Sequence, residues 1–233
     1  MNESQQISSK LSEFLIYLAE FNRTGEEKLP ALSDISEELG ISVSTIREQL
    51  QVARSMGLVE VKPRTGIRTQ PYSFTPTIIK SLAYAVSINK DYFITFSDLR
   101  NHIEATYWYQ AVSKLTEEDI QYLKVLINNA KGKLFGQPIQ IPHYEHRELH
   151  ITIFKRLNNP FVTGILEAYW ELYEAVGLNV YEDRTYLKTV WGYHQQMVEA
   201  IESSDYLTGY QALVEHMDLL HKRKNSESQA LFE

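Results

Sequence analysis

Seven histidines, all beyond residue 100 of a 233-residue chain, are the side chains with the widest chemical scope. His146 and His150 stand four apart, so on one helix their rings leave the same face, the spacing that lets two imidazoles share a metal ion. His194 lies in WGYHQQMVEAI and His216 in YQALVEHMDLL. Both have apolar or aromatic neighbours, where an imidazole without a partner is costly. Converging from three helices, the four would form an all-nitrogen site of the kind helix bundles build in their cores. The plainer alternative makes each a separate surface or hydrogen-bonded histidine, and spacing alone does not choose, because helix pairing is invisible in one sequence. His102, His143 and His221 are assigned to that plainer class, with His143, one turn before His146, the nearest to crossing over.

Other chemistries are narrowed by what is missing. With no cysteine, thiolate nucleophiles, disulfides and Cys-based zinc fingers are excluded. A metal-dependent hydrolase is the rival use of the same histidines. Zinc peptidases need His-Glu-x-x-His, with the Glu next to the first ligand so that it reaches the metal-bound water. Here the order is His146, Arg147, Glu148, Leu149, His150. Glu148 falls about 200° around a helix from His146 and points away from a shared metal. The chain is therefore not expected to be an enzyme.

Holding four histidines together takes a helical scaffold, and everything after residue 76 reads as one. Phe96, Leu99, Ile103 and Tyr107 recur at helical spacing, and Thr116 with Asp119 forms a capping box ahead of Ile120, Leu123 and Ile127. Lys131 to Ile141 reads as a loop, Pro142 opens the helix carrying His146 and His150, and Asn158 to Pro160 ends it. Three further helices follow, over Phe161 to Leu178, Arg184 to Ser203 and Tyr206 to Arg223, with frayed polar residues after them. The fold class expected is mostly α, residues 77–233 forming an all-α antiparallel bundle behind a smaller N-terminal domain of residues 1–72.

That smaller domain has its own signature. Ser9 to Phe21 is helical by pattern. Ser33 is positioned to cap a helix containing Ile35 and Leu39, which Gly40 ends. Ser42 caps a second helix with Ile46, Leu50 and Ala53 inside, and Gly57 stops it. LVEV and IRT then alternate like strands around the KPRTG turn, and Thr69 to Pro76 reads as a linker. Three helices with a two-stranded wing make a winged helix-turn-helix. Ser44, Thr45 and Arg47 lie outward at the start of the second helix, where a major groove would meet them, and Arg64, Gly66 and Arg68 form the wing.

The net charge of −7 runs against DNA binding only until its distribution is seen. Between Ile41 and Ser73, Arg47, Arg54, Lys62, Arg64 and Arg68 face only Glu48 and Glu60. One small cationic patch binds weakly, so a homodimer presenting two is expected. No apolar run approaches the ~20 residues that span a bilayer, and MNESQQISSK lacks the apolar core of a signal peptide. A cytoplasmic protein without membrane contact is expected.

LPALSDISEELGIS, STIREQL and GLVEVKPRTGI resemble, in order and spacing, the winged helix of GntR-type bacterial transcription regulators. Many members carry Arg directly after the residue matching Ser42; this chain has Val43, so that contact does not transfer and Arg47, Arg64 and Arg68 must supply more of the binding. Residues 90 to 220 resemble the FCD ligand-binding domain of the FadR branch, through Leu99, Arg100 and Glu104; His150; His194 before AIESSD; and His216 eleven after Asp205. Where that pattern has an acid, this chain has His146, which leaves four neutral imidazoles. The resemblance implies a divalent transition metal, Zn first and Ni second, held by His146, His150, His194 and His216. It also implies a small carboxylate effector that regulates binding to double-stranded operator DNA. Arg100 is open to two readings, a bidentate contact to that carboxylate or an ion pair with Glu104. A metal-stabilised regulator with no effector is the further alternative.

Overall fold

A computed structural model describes residues 9–64, 66–176 and 184–230. Contacts divide the chain into two compact units, residues 1–80 and 81–233. The cut falls inside a helix, α4, Thr75–Ile88.

In the first unit, α1 (Glu13–Phe21) is followed by a 3-10 turn, α2 (Leu32–Leu39), α3 (Val43–Ser55), and strands β1 (Val59–Lys62) and β2 (Gly66–Thr69). The core is one face from each helix: Phe14, Tyr17 and Leu18, then Ile35, then Ile46, Leu50 and Ala53, closed by Leu29 and Val59. Burying such side chains at roughly 1.5–3 kcal/mol each is what holds short helices that would fray alone. α3 also ties down α1, because the Phe14 amide donates to Gln49 Oε1 at 2.8 Å and Gln49 Nε2 donates to Glu13 Oε2 at 3.0 Å. β1 and β2 pair antiparallel, Val59 opposite Thr69 and Lys62 opposite Gly66. Residues 27–29 lie along the far edge of β2, with Leu29 donating to Ile67 O and Thr69 donating to Glu27 O.

Two caps differ in kind. Ser42 Oγ accepts from the Thr45 amide at 3.1 Å, the cap expected for α3. Ser33 does not cap α2: the helix starts at Leu32 behind Ala31, and Ser33 Oγ turns to Asp34 Oδ1. The reason is backbone geometry. Ala31, following Pro30, is extended at ψ 147°, and its carbonyl already accepts from Asp34 and Ile35. Gly57 stops α3 at φ 76°, and a side chain there would meet Pro76 Cγ at 2.6 Å, so both conformation and space demand glycine. Pro76 itself sits in the first turn of α4, so the segment read as a linker is shorter than expected at both ends: Thr69 belongs to β2 and Thr75 to α4.

After the end of α4, the described residues of the second unit form helices joined by short connections: α5 (Asp91–Val112), α6 (Glu117–Phe135), α7 (His143–Phe154) with a 3-10 turn after it (Lys155–Leu157), α8 (Pro160–Ala175), α9 (Arg184–Glu202) and α10 (Tyr206–Ala230). α9 packs on α10 and α6, α10 on α5, and α5 on α7 and α8. Their shared core runs from Phe93 and Trp108 through Leu123, Leu149, Leu166 and Met197 to Leu213. Several boundaries depart from expectation. α6 continues through Gly132 to Phe135, since that glycine faces open space and nothing forces a break. α10 runs past Arg223 to Ala230. Leu178, the expected end of α8, lies outside the described residues.

The stripe read on α5 is displaced. Leu99 is 47% exposed, whereas Phe93, Ser97, Arg100, Glu104 and Trp108 form the buried face. That face is polar at its centre, which an apolar-periodicity argument passes over. The consequence is functional, because Arg100 and Glu104 are the floor of the site described below.

The capping box at the head of α6 is present and reinforced. Asp119 accepts from the Thr116 amide and hydroxyl at 3.0 Å each, from Lys155 Nζ at 2.6 Å and from Arg156 Nε. Arg156, then Lys155 and Thr116, hold its carboxyl well below the ordinary value against the opposing effect of burial. Asp119→Ala should destabilise the domain by about 2–3 kcal/mol at pH 7. The carboxylate's contribution is full above the unfolded pKa near 3.9 and is lost as pH falls through the lowered folded value. The gap between wild type and Asp119→Ala in urea unfolding should therefore shrink between about pH 4 and pH 2.

Candidate functional site

α7 presents His146 and His150 one turn apart, α9 presents His194 and α10 presents His216, and the four rings converge in the core of the bundle. One nitrogen from each lies within 4.8 Å of all the others. Ring centroids are 4.3 Å apart for His194 and His216, 4.6 Å for His146 and His194, and 5.2 Å for His146 and His150. The predicted set is thus brought together from three helices. His102 is exposed, its Nδ1 beside Asp98 O on its own helix. His143 lines the cavity next to the cluster without being one of the four. The side chain of His221 lies outside the described residues.

Burial sets the protonation of this cluster. All four imidazoles are held well below the ordinary value, first by desolvation. Mutual repulsion and the Arg100 guanidinium add to this, and Glu104 opposes it at His216. The rings are therefore neutral at pH 7, each with a lone pair to give. His146 Nε2, His194 Nδ1 and His216 Nδ1 are buried with no hydrogen-bond partner. Unpaired buried nitrogens in a group of four fit a divalent transition metal, for which neutral imidazole is a common ligand. His150 Nε2 and His194 Nε2 are 3.2 Å apart, within hydrogen-bond reach of one another.

Beneath the histidines lies a buried charged pair. Arg100 Nε is 3.0 Å from Glu104 Oε1, an ion pair whose N–H is not aligned as a hydrogen bond, and both side chains are almost wholly buried. Arg100 Nη1 donates to Asn101 Oδ1 at 3.0 Å, and its guanidinium stacks over Tyr169 and Trp170 at 4.7 and 5.2 Å. Burial raises the Glu104 carboxyl to about 7, with Arg100 pulling the other way. The ion-pair reading of Arg100 thus holds in geometry. It does not displace the other, because Arg100, His146 and His216 also line a narrow cavity walled by Tyr169, Trp170 and Trp191.

In the first unit, Ser44 and Arg47 are exposed at the start of α3. Thr45 is half-buried and shares its hydroxyl with Ser42 Oγ at 2.9 Å, so the cap occupies part of its hydrogen-bonding capacity. In the wing, Arg64 is exposed at φ 69° and Gly66 pairs with Lys62. Arg68 is exposed and paired with Glu27 Oε2 at 3.1 Å. The sequence reading passed over Gln51, exposed on α3 at i+7 from Ser44 and i+4 from Arg47. Helical period alone would have found it, and glutamine suits the adenine edge.

Two family models match the chain: the FCD domain over residues 96–219, and bacterial regulatory proteins, gntR family, over residues 18–68. An uncharacterized HTH-type transcriptional regulator of Bacillus subtilis (strain 168), YcbG, is 22% identical over 207 residues, covering 84% of this chain and 80% of the relative. The structure of Streptococcus agalactiae GntR matches with a TM-score of 0.63 at 18% identity, over 85% of this chain and 90% of its own. That of E. coli McbR/YncC matches with a TM-score of 0.47 at 20% identity, over 89% and 91%.

Proposed function

The chain belongs to the gntR family of bacterial regulatory proteins and carries an FCD domain, which makes it a transcription regulator rather than a hydrolase, and from that premise we propose a metal-centred, effector-controlled DNA switch. Residues 1–72 read operator DNA through Ser44, Thr45 and Arg47 on α3, with Arg64, Gly66 and Arg68 of the wing on the backbone. Residues 77–233 hold a divalent metal, Zn before Ni, on His146, His150, His194 and His216. When bound, the metal supplies a Lewis-acid point for the carboxylate of a small organic acid. Arg100 fixes that acid's orientation, and the aromatic wall excludes water around it. The protein works as a cytoplasmic homodimer, since one cationic patch is too small for tight binding.

The observation that carries this reading is the convergence of four neutral imidazoles, with three buried nitrogens unpartnered, beside a cavity that Arg100 lines. Among the described residues no helix is long and apolar enough to cross a membrane. Gel shifts with Zn-loaded full-length protein, repeated over a set of small mono- and dicarboxylic acids, test it. At least one acid should change operator affinity by 5-fold or more, the lower range of typical allosteric coupling. Indifference to every acid, with metal bound, would favour a metal-stabilised regulator without effector.

A further inference from the structure

His150 Nδ1 has two neighbours that make opposite demands. Arg100 Nη2 lies 2.9 Å away and can only donate; Glu104 Oε2 lies 3.1 Å away and, in its ionised form, can only accept. A neutral imidazole has one N–H, so Nδ1 serves one of them at a time. Its other nitrogen, Nε2, faces His194 Nε2 at 3.2 Å. With the proton on Nε2, that nitrogen donates to His194 and Nδ1 accepts from Arg100. If Nε2 gives its lone pair to a metal, the proton must sit on Nδ1, where it is donated to Glu104, and Arg100 Nη2 loses its acceptor.

We propose that Glu104 is the positioning residue of the histidine cluster and that the site of one proton on His150 links occupation of the cluster to the freedom of Arg100. The inference rests on the metal reading above. Glu104 is suited to the task because it is fully buried on α5, approached by Arg100 on one oxygen and by His150 on the other. A carboxylate in that place fixes the ring's orientation and raises the basicity of the opposite nitrogen, an arrangement whose loss lowers metal affinity 10–100-fold in other sites. Arg100 keeps Asn101 and Glu104 as partners when Nη2 is released, so the guanidinium stays in place with one donor free beside the cavity it lines. The cluster would therefore present its anion-binding donor only when the metal site is filled.

The test uses untagged full-length protein and Zn alone. Long-range 1H–15N spectra, with the His150 signals assigned by their loss in His150→Gln, should show Nε2–H without Zn and Nδ1–H with Zn. Competition against a chromophoric chelator should show Zn affinity at least 10-fold weaker in Glu104→Gln, while thermal unfolding of the Zn-free variant confirms that it is folded. The same tautomer in both states, or unchanged affinity in a folded Glu104→Gln, would overturn the inference and leave the metal reading standing. Wild-type protein that takes up no Zn would overturn both. The wild-type spectra decide the matter even if the variant does not fold.

Discussion

Removing metal from the full-length protein with a chelator should lower the melting temperature of the helical domain by on the order of 10 °C. A ligand at a thousand times its Kd stabilises the native state by about 4 kcal/mol, and a domain of ~150 residues shifts by roughly 2–4 °C per kcal/mol. The effect is large because the metal would join α7, α9 and α10, whose histidines otherwise bury unpaired nitrogens at the centre of the bundle. His194→Ala and His216→Ala should each lose most of the metal by elemental analysis, whereas His102→Ala, exposed and not one of the four, should keep it. Acid should mimic the chelator. The four imidazoles are neutral when folded and protonate near 6.5 when unfolded, so their stabilisation is full above that value and declines as pH falls below it. Each contributes a slope approaching about 1.4 kcal/mol per pH unit, with or without metal. Untagged wild-type protein that holds no metal and resists reloading with Zn or Ni would end the metal-centred reading and leave the family assignment intact.

How legible this site was depends on which residues carry it. The histidines could be picked out because His146 and His150 share a helix, and one i, i+4 pair is visible in any sequence. That His194 and His216 join them depended on how α5 and α6 bring α9 and α10 alongside α7, and there the resemblance did what periodicity could not. The winged helix was legible almost residue by residue, since Gly40, Ser42, Gly57 and the alternation around KPRTG are local signals with local causes. The misplaced cap, Ser33, came from treating a capping residue type as a capping position when Ala31 had already turned the backbone. α5 was the harder element. An apolar stripe through Phe96, Leu99, Ile103 and Tyr107 is a sound reading of pattern, yet the helix turns Arg100 and Glu104 inward, where they pair as ions and both reach His150 Nδ1. A buried ion pair is stabilised by partners from other helices, and no single-helix period reports them.

Operator binding should respond differently to cations on the recognition helix and in the wing. Arg47 stands exposed near the start of α3, the end of a recognition helix that meets base edges, so Arg47→Ala should weaken specific binding by about 1–3 kcal/mol and relax preference at one base position. Arg64 sits at the turn of the wing, where the backbone is held at φ 69°. A cation there can follow a phosphate whatever the sequence, so Arg64→Ala should lower affinity on specific and unrelated DNA alike and reduce the salt slope by about 1. Arg68 is intermediate, since Glu27 holds its guanidinium at 3.1 Å. That exposed pair is worth little by itself, and a phosphate competes for the same guanidinium while being repelled by the carboxylate. Glu27→Gln should therefore strengthen binding modestly, and Arg68→Ala should remove that gain. Gel shifts on a bound operator and on unrelated duplex, each at two salt concentrations, separate the three roles. If Arg47→Ala lost affinity equally on both duplexes, Arg47 would be a phosphate contact, and base reading on α3 would fall to Ser44, Glu48 and Gln51, which are exposed and carry hydrogen-bonding groups suited to a base edge.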